Sequence, residues 1–141
     1  MVLFQGNSSK MIDIMQRSMG ASTMRAQVLN NNIANATTPN YKRQDITFQA
    51  ELEKALNSEQ QYPGTPFEMT DEKHIPAYRM KDYRDVQAKK ITEYNTYQNN
   101  NGNSVDIDTE MLESAKNTMY YNALAQRTAK EFNKLKFLMR T

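Results

Sequence analysis

The feature that most constrains the fold is an asparagine-rich stretch that leads into a proline turn, residues 30–43. Asparagine competes for its own backbone hydrogen bonds and suits helix ends better than helix interiors. Pro39 disfavours a helical conformation at the residue before it, and Pro39-Asn40 fits the two central positions of a type II turn. The stretch therefore predicts that a helix ends here and that a turn redirects the chain, with the signature residues Asn31, Asn32, Asn35, Thr38, Pro39, Asn40 and Tyr41.

An apolar pattern before this stretch predicts a first long helix over residues 7–35. Its spacings alternate between three and four, which is typical of a heptad seam. Ser8 or Ser9 is the predicted N-cap, and Gly20 costs about 1 kcal/mol of helix stability relative to alanine. Ser22 is the one polar member of the pattern, and the predicted assembly seam is Ile12, Met15, Met19, Ala26, Leu29 and Ile33.

A second apolar pattern predicts another long helix over residues 105–140. Asp106 and Asp108 are the predicted capping residues, because carboxylates accept hydrogen bonds from the free N–H groups at a helix start. A lone asparagine in a coiled-coil seam sets the register of the helices at a cost in stability. Its predicted assembly seam is Met111, Ala115, Met119, Asn122, Ala125, Ala129, Phe132, Leu135 and Met139.

The segment between the two helix patterns, residues 44–104, is polar and less regular. Asp45 is the predicted cap of a short third helix, a loop is predicted at residues 62–66, and residues 86–97 carry a weak strand pattern. We therefore predict a mainly α fold, in which two long helices pair as a coiled-coil-like hairpin and the middle is largely extended or partly disordered. The predicted organisation is an N-terminal helix and turn (1–43), the middle segment (44–104) and a C-terminal helix (105–141), which together form one axial domain.

The composition of the chain argues against an enzyme. There is no cysteine and one histidine, His74, so one chain cannot form a cysteine-ligated metal site, a two-histidine zinc site or a histidine-based triad. Asp106, Asp108 and Glu110 carry carboxylates suited to calcium, but they lack the glycine and distal glutamate of an EF-hand, and capping accounts for them better. We predict no catalytic residue, no cofactor and no metal.

Charge and hydropathy narrow the range of partners. The formal net charge is +2 and the basic residues are dispersed, whereas nucleic-acid surfaces need clustered Lys and Arg. No apolar run approaches the length of a membrane span, and the first ten residues contain no apolar signal core. We therefore predict no nucleic-acid partner, no membrane span and no cleaved signal peptide.

Two separated motifs resemble the terminal signatures of the bacterial flagellar rod and hook family of axial proteins. The first is Asn31-Asn32-Ile33-Ala34-Asn35 followed by Thr38-Pro39-Asn40-Tyr41-Lys42, and the second is Val105-Asp106-Ile107-Asp108 with Glu110-Met111. The family commonly has glycine at the position of Asn40, and asparagine is the next best residue for a positive φ. The resemblance covers both ends of the chain in order, and the short middle is similar to that of the proximal rod members.

The resemblance implies a structural subunit of the flagellar basal-body rod that polymerises through its terminal helices into the torque-transmitting drive shaft. It implies export by the flagellar type III machinery and a final position in the periplasmic rod. The implied partners are copies of the chain, other rod proteins, ring or adaptor proteins at the rod base, and the export machinery. Two alternatives stay open. One is a soluble helical adaptor or export chaperone of the flagellar system. The other is a wall-remodelling enzyme, which needs a carboxylate pair in a pocket.

Overall fold

The computed structural model describes residues 2–61, 81–94 and 103–139. These residues form α1 (Val2–Ala34), β1 (Gln44–Thr47), α2 (Gln49–Gln61), a single 3-10 turn (Tyr83–Asp85), β2 (Lys89–Thr92) and α3 (Ile107–Met139). The predicted mainly α fold with two long terminal helices is confirmed. The chain divides into two units: residues 1–46 with 88–141, and residues 47–87.

The first unit is built on the pairing of α1 with α3. Asn32, near the end of α1, bonds Glu110 near the start of α3, whereas Met15 and Met19 lie beside Thr128 further along α3. The two helices are therefore antiparallel, as expected for the predicted hairpin. The strands β1 and β2 form a two-stranded sheet, and the Arg43 carbonyl beside it accepts a hydrogen bond from the Glu93 N–H at 2.9 Å.

The interior of this unit mixes apolar and polar side chains. The predicted seam of α1 lies on its covered side: Met15 and Leu29 are buried, and Ile12, Met19, Ala26 and Ile33 are half-buried. Buried polar side chains accompany them on both helices and on the segment before α3: Ser18, Ser22, Asn32, Asn103, Ser104, Glu110 and Asn117. Hydrogen bonding therefore contributes to the helix pairing alongside apolar burial.

The face of α3 that meets α1 differs from the apolar stripe that the sequence pattern singles out. Glu110 and Asn117 are buried and Leu124 and Thr128 are half-buried, at spacings of seven, seven and four. Of the predicted stripe, only Ala125 and Leu135 are half-buried, and its other members are exposed: Met111, Ala115, Met119, Asn122, Ala129, Phe132 and Met139. The stripe is therefore not the face that pairs with α1, because α1 presents polar groups that polar residues of α3 satisfy, and the role of the stripe as an assembly seam stays a prediction.

Two element boundaries also differ from the sequence expectation. The helix α1 begins at Val2, so Ser8 and Ser9 lie within it rather than at an N-cap. Asp45 lies in β1 and does not cap α2, which begins at Gln49. The Asp45 carboxylate instead forms an ion pair with Arg25, and that pairing places it in the first unit.

The second unit contains α2 and the 3-10 turn, which contact each other. Its buried side chains include Phe48, Leu52, Ala55, Ser58, Tyr83 and Val86. The Ser58 hydroxyl donates to the Ala55 carbonyl at 2.7 Å and accepts from the Lys81 N–H at 3.2 Å. The predicted loop at 62–66, His74 and the part of the strand pattern beyond residue 94 lie outside the described residues.

Candidate functional site

The signature residues meet the start of α3 in a buried cluster that we call the polar junction: Asn32, Tyr41, Arg43, Asn103 and Glu110. Asn32 and Asn103 are 0% exposed and Glu110 is 1% exposed. Buried polar groups are costly unless they are hydrogen-bonded. The arrangement of donors and acceptors in this cluster is therefore decisive for the fold of the first unit.

Asn32 uses every hydrogen-bonding position of its amide. Its Nδ2 donates to the Gln44 carbonyl at 2.7 Å and to Glu110 Oε2 at 2.8 Å. Its Oδ1 accepts from the Gln44 N–H at 3.1 Å and from the Tyr41 hydroxyl at 3.3 Å. An amide supplies two donor hydrogens and an acceptor oxygen with two lone pairs, so no other side chain of this size could make the same four bonds.

Arg43 forms a buried ion pair with Glu110. Its Nε donates to Glu110 Oε1 at 2.6 Å, and its Nη1 donates to Glu93 Oε1 at 2.8 Å. The Oδ2 of Asp45 lies 3.5 Å from the same Nη1. The two carboxylate oxygens of Asp45 also accept hydrogen bonds from Nε and Nη2 of Arg25, each at 3.1 Å. These carboxylates and guanidinium groups link α1, β1 and α3 into one charged network.

Asn103 holds the turn that follows the C-terminal end of α1. Its Nδ2 lies 3.0, 2.8 and 2.9 Å from the carbonyl oxygens of Asn35, Ala36 and Thr38. These residues lie just beyond Ala34, the last residue of α1, so the side chain of a distant residue fixes the backbone of the turn. The Oδ1 of Asn103 also accepts from the Val105 N–H at 2.7 Å, which connects this turn to the start of α3.

The proline turn lies directly after this helix end. Asn40 has a φ of 60°, in the left-handed region, and the Tyr41 N–H donates to the Thr38 carbonyl at 3.3 Å. A positive φ at the third residue and proline at the second are the features of a type II turn. The turn delivers Tyr41 and Arg43 to the polar junction.

Of the two predicted capping residues of α3, Asp106 occupies the capping position. It precedes Ile107, the first residue of the helix. Its carboxylate accepts from the Asp108 N–H at 3.2 Å and from the Thr109 hydroxyl at 2.6 Å. Asp108 lies in the first turn of α3, where the helix dipole stabilises a negative charge.

A second polar contact joins α1 to α3 further from the junction. The Ser22 hydroxyl donates to Asn117 Oδ1 at 2.9 Å, and Asn117 Nδ2 donates to the Ser22 carbonyl at 2.9 Å. This buried pair fixes the axial position of one helix against the other. Asn122, the asparagine that the sequence pattern places in the seam, is exposed.

Burial and charge shift three ionisation equilibria in this unit. Burial, with a smaller contribution from the charge of Glu110, raises the pKa of the Tyr41 phenol above 10.0. Burial opposes the charged form of Arg43, but the hydrogen bond to Glu110 and the nearby carboxylates outweigh it and raise the pKa of Arg43. A hydrogen bond from Lys116 lowers the pKa of Glu113. At neutral pH, Arg43 is therefore charged and Tyr41 is neutral.

Within the described ranges 2–61, 81–94 and 103–139, no cluster of three or more histidine, aspartate or glutamate side chains is arranged to hold a metal ion. In the same ranges, no helix is long and apolar enough to cross a membrane. The one acidic side chain of the polar junction, Glu110, accepts hydrogen bonds from Arg43 and Asn32. The polar junction holds backbone segments in place, because Asn32 and Asn103 bond the backbone groups of Gln44 and Ala36.

Comparison with known proteins identifies the family. The chain is 33% identical over 129 residues to the flagellar basal body rod protein FlgB of Borreliella burgdorferi, an alignment that covers 92% of this chain and 95% of the relative. It is 32% identical over 139 residues to FlgB of Bacillus subtilis, covering 99% and 97% of the two chains. This chain belongs to the FlgB family of flagellar basal body rod proteins. FlgB of Aquifex aeolicus is 31% identical over 121 residues, covering 86% and 82%. No protein-family model matches the sequence.

In this FlgB-family chain, sequence reasoning found one side of the polar junction and missed the other. The signature identified Asn32 and Tyr41, and it placed Asn40 correctly at a positive φ. It assigned no partner to Asn103 or Glu110. Of these residues, only Glu110 could have been recognised from its residue type. An acidic side chain so close to the start of an apolar helix pattern is expected to have a basic partner. Asn103 lies in an asparagine-rich segment that reads only as a turn.

Proposed function

We propose that this chain is a structural subunit of the proximal rod of the flagellar basal body and that it polymerises through its terminal helices. The observation that carries the proposal is the unused apolar surface of α3. Its pairing with α1 employs a polar face, while Met111, Met119, Phe132 and Met139 stay exposed. Exposed apolar side chains in such number on one helix are typical of protein–protein interaction surfaces.

The polar junction supports this proposal from the mechanical side. Buried hydrogen-bonded networks hold one geometry, because a partly satisfied arrangement is costly. Asn32, Arg43 and Glu110 connect α1, β1 and α3 through bonds of 2.6 to 3.1 Å. A subunit of a rotating shaft needs this kind of fixed internal geometry, since torque passes from copy to copy through its helices.

The proposed partners follow from the proposed place in the basal body. They are copies of the chain, other rod proteins, ring or adaptor proteins at the base of the rod, and the flagellar type III export machinery. The proposed location is the periplasmic rod. We propose no catalytic role for any residue. The proposed contact surface between subunits is the exposed seam of α3, including Met119 and Phe132, because the seam of α1 lies on the covered side of that helix.

The place in the basal body is tested by immunoblotting detergent-purified basal bodies of the source bacterium, beside a strain in which flagellar export is blocked. We expect the protein in the purified particles, and its retention in the cytoplasm of the blocked strain. Its absence from the particles, with an equal soluble pool in both strains, would overturn the proposal and favour a soluble adaptor.

The proposed contact surface is tested by two substitutions at one position. Met119→Glu places a charge on the exposed surface of α3, so assembly should be lost and swimming abolished. Met119→Leu preserves an apolar side chain of similar volume, so assembly should continue. Both variants should keep the melting temperature of the unaltered chain, because Met119 lies outside the pairing face. Normal swimming of the Met119→Glu strain would show that this part of α3 is not a contact surface.

A further inference from the structure

Among the residues that the structure describes, the methionines of α3 are far more exposed than Met15 of α1. Met111, Met119 and Met139 of α3 are 58%, 65% and 79% exposed, whereas Met15 of α1 is 5% exposed. The sequence has no cysteine. Reaction of the protein with peroxides therefore falls on methionine thioethers, which form sulfoxides. Within the described ranges, the most exposed methionine residues lie on α3, and we expect the reaction there first.

We propose that Met111, Met119 and Met139 form a peroxide-sensitive surface whose oxidation blocks association of the subunit while the α1–α3 pair stays folded. In the reaction the thioether sulfur attacks one oxygen of hydrogen peroxide and the O–O bond breaks. The sulfur is oxidised by two electrons to the sulfoxide, and the second peroxide oxygen leaves as water. The product replaces an apolar side chain with a polar, chiral one.

The positions of these sulfurs explain why the fold survives. The pairing face of α3 is formed by Glu110, Asn117 and Thr128, and these residues contact α1 through Asn32, Ser22 and the sulfurs of Met15 and Met19. The three exposed methionines contribute nothing to those contacts. Oxidation therefore changes the outer surface of α3 and leaves the hydrogen bonds between the helices intact.

The site of oxidation is tested on the full chain at a concentration where it sediments as a monomer. Dilute hydrogen peroxide is added, and sulfoxide formation at each methionine is followed by peptide mass spectrometry, with the urea-unfolded chain as the reference. We expect Met119 and Met139 to react about as fast as in the unfolded chain and Met15 about tenfold more slowly. Equal rates at Met15 and Met119 in the folded chain would overturn the proposal.

The consequence for association rests on the proposed function and is tested with two matched variants at an assembling concentration. In the first, Met111, Met119 and Met139 are replaced by leucine, and we expect association that is unaffected by peroxide. In the second variant, the half-exposed Met11 and Met24 of α1 are likewise replaced by leucine. We expect this variant to lose association after peroxide treatment, as the unaltered chain does. Far-ultraviolet circular dichroism should be unchanged in all cases.

The two possible failures give different results. If the untreated chain does not associate, the proposed function fails and this proposal fails with it. If the untreated chain associates and continues to do so after complete oxidation of the three methionines, the proposed function stands and the peroxide-sensitive surface is wrong.

Discussion

At the scale of single residues, the polar junction depends on matched donors and acceptors more than on apolar area. Asn32 and Glu110 are buried together with Arg43, and each of the polar atoms discussed above has a partner. Removing one member of such a set leaves the other members unsatisfied, which costs more than the bond itself contributed. Substitutions here should therefore have effects out of proportion to the number of atoms changed.

Glu110→Gln should lower the free energy of unfolding by about 1–3 kcal/mol, because Arg43 loses its closest charge partner in a buried setting. The matched control is Glu113→Gln on the same helix, a more exposed carboxylate whose ion pairs should contribute less than about 1 kcal/mol. Urea unfolding followed by circular dichroism measures both. Equal losses in the two variants would contradict the central place of Glu110.

Asn40→Gly should be neutral or mildly stabilising, since glycine adopts a φ of 60° without strain. Asn40→Ala should cost about 1 kcal/mol, because alanine resists the left-handed region and lacks the local hydrogen bonding of asparagine. Thermal unfolding of the two variants provides the comparison. A larger loss in the glycine variant than in the alanine variant would refute the type II turn.

Tyr41 should ionise at a higher pH than an exposed tyrosine. Because its pKa is raised in the fold, the stability associated with its neutral form is fully present below pH 10 and is lost as the pH rises through the folded pKa. The chain has eight tyrosines, so the phenolate absorbance of Tyr41→Phe must be subtracted from that of the unaltered chain. A difference curve with its midpoint below pH 10 would contradict the half-buried position of Tyr41.

At the scale of elements, the sequence specified the long helices better than the short strands. Apolar spacing repeated over thirty residues is a strong helix signal, and α1 and α3 formed where that signal lies. The four residues of β1 are too few for a period of two to be distinct. The position of β1 is set by Arg43, Asp45 and their partners on α1 and α3, which are distant in sequence.

The pairing face of α3 was not predictable from apolar spacing. A pattern search gives weight to Met111 and Met119 and none to Glu110 or Asn117. The latter two face α1 because Asn32 and Ser22 offer matching hydrogen-bond partners there. Such matching depends on which residues meet across the hairpin, and the sequence of one helix does not contain that information.

Gly20→Ala should raise the stability of the isolated chain by about 1 kcal/mol, because glycine is a poor residue for a helix interior. A Cβ at this position meets no atom within 4 Å, so no clash offsets the gain. Gly20→Val should gain less, since a β-branched side chain has a lower helix propensity. Thermal unfolding of the two variants and of the unaltered chain measures both effects. A lower melting temperature for the alanine variant would show that this part of α1 needs glycine.

At the scale of the whole molecule, the first unit joins both ends of the chain through its polar junction. Asn32 reaches Glu110, 78 positions away, and Arg43 reaches Glu93, 50 positions away. The sequence shows that these residues are polar, and its apolar spacing predicts both long helices. It does not show which polar residues contact each other across separations of 50 to 78 positions. The exposed surface of α3 was visible as an apolar pattern, and only the fold revealed that α1 leaves it uncovered.

Asn103→Ala should loosen two distant places at once. Hydrogen exchange is expected to become about tenfold faster in the turn that follows α1 and in the segment just before α3, because the Asn103 amide bonds both. The matched control is Asn57→Ala in α2, an exposed asparagine of the second unit, which should leave these amides unchanged. Faster exchange at only one of the two places would contradict the connecting role of Asn103.

The bonds of Asn103 also bear on the order in which the first unit can form. The turn carbonyls of Asn35, Ala36 and Thr38 approach a side chain that lies at least 65 positions further along the chain. A chain that is synthesised from its amino terminus therefore contains α1 and the turn long before it contains the residue that holds the turn in place. The contact between this turn and the start of α3 can form only after residue 103 has been added.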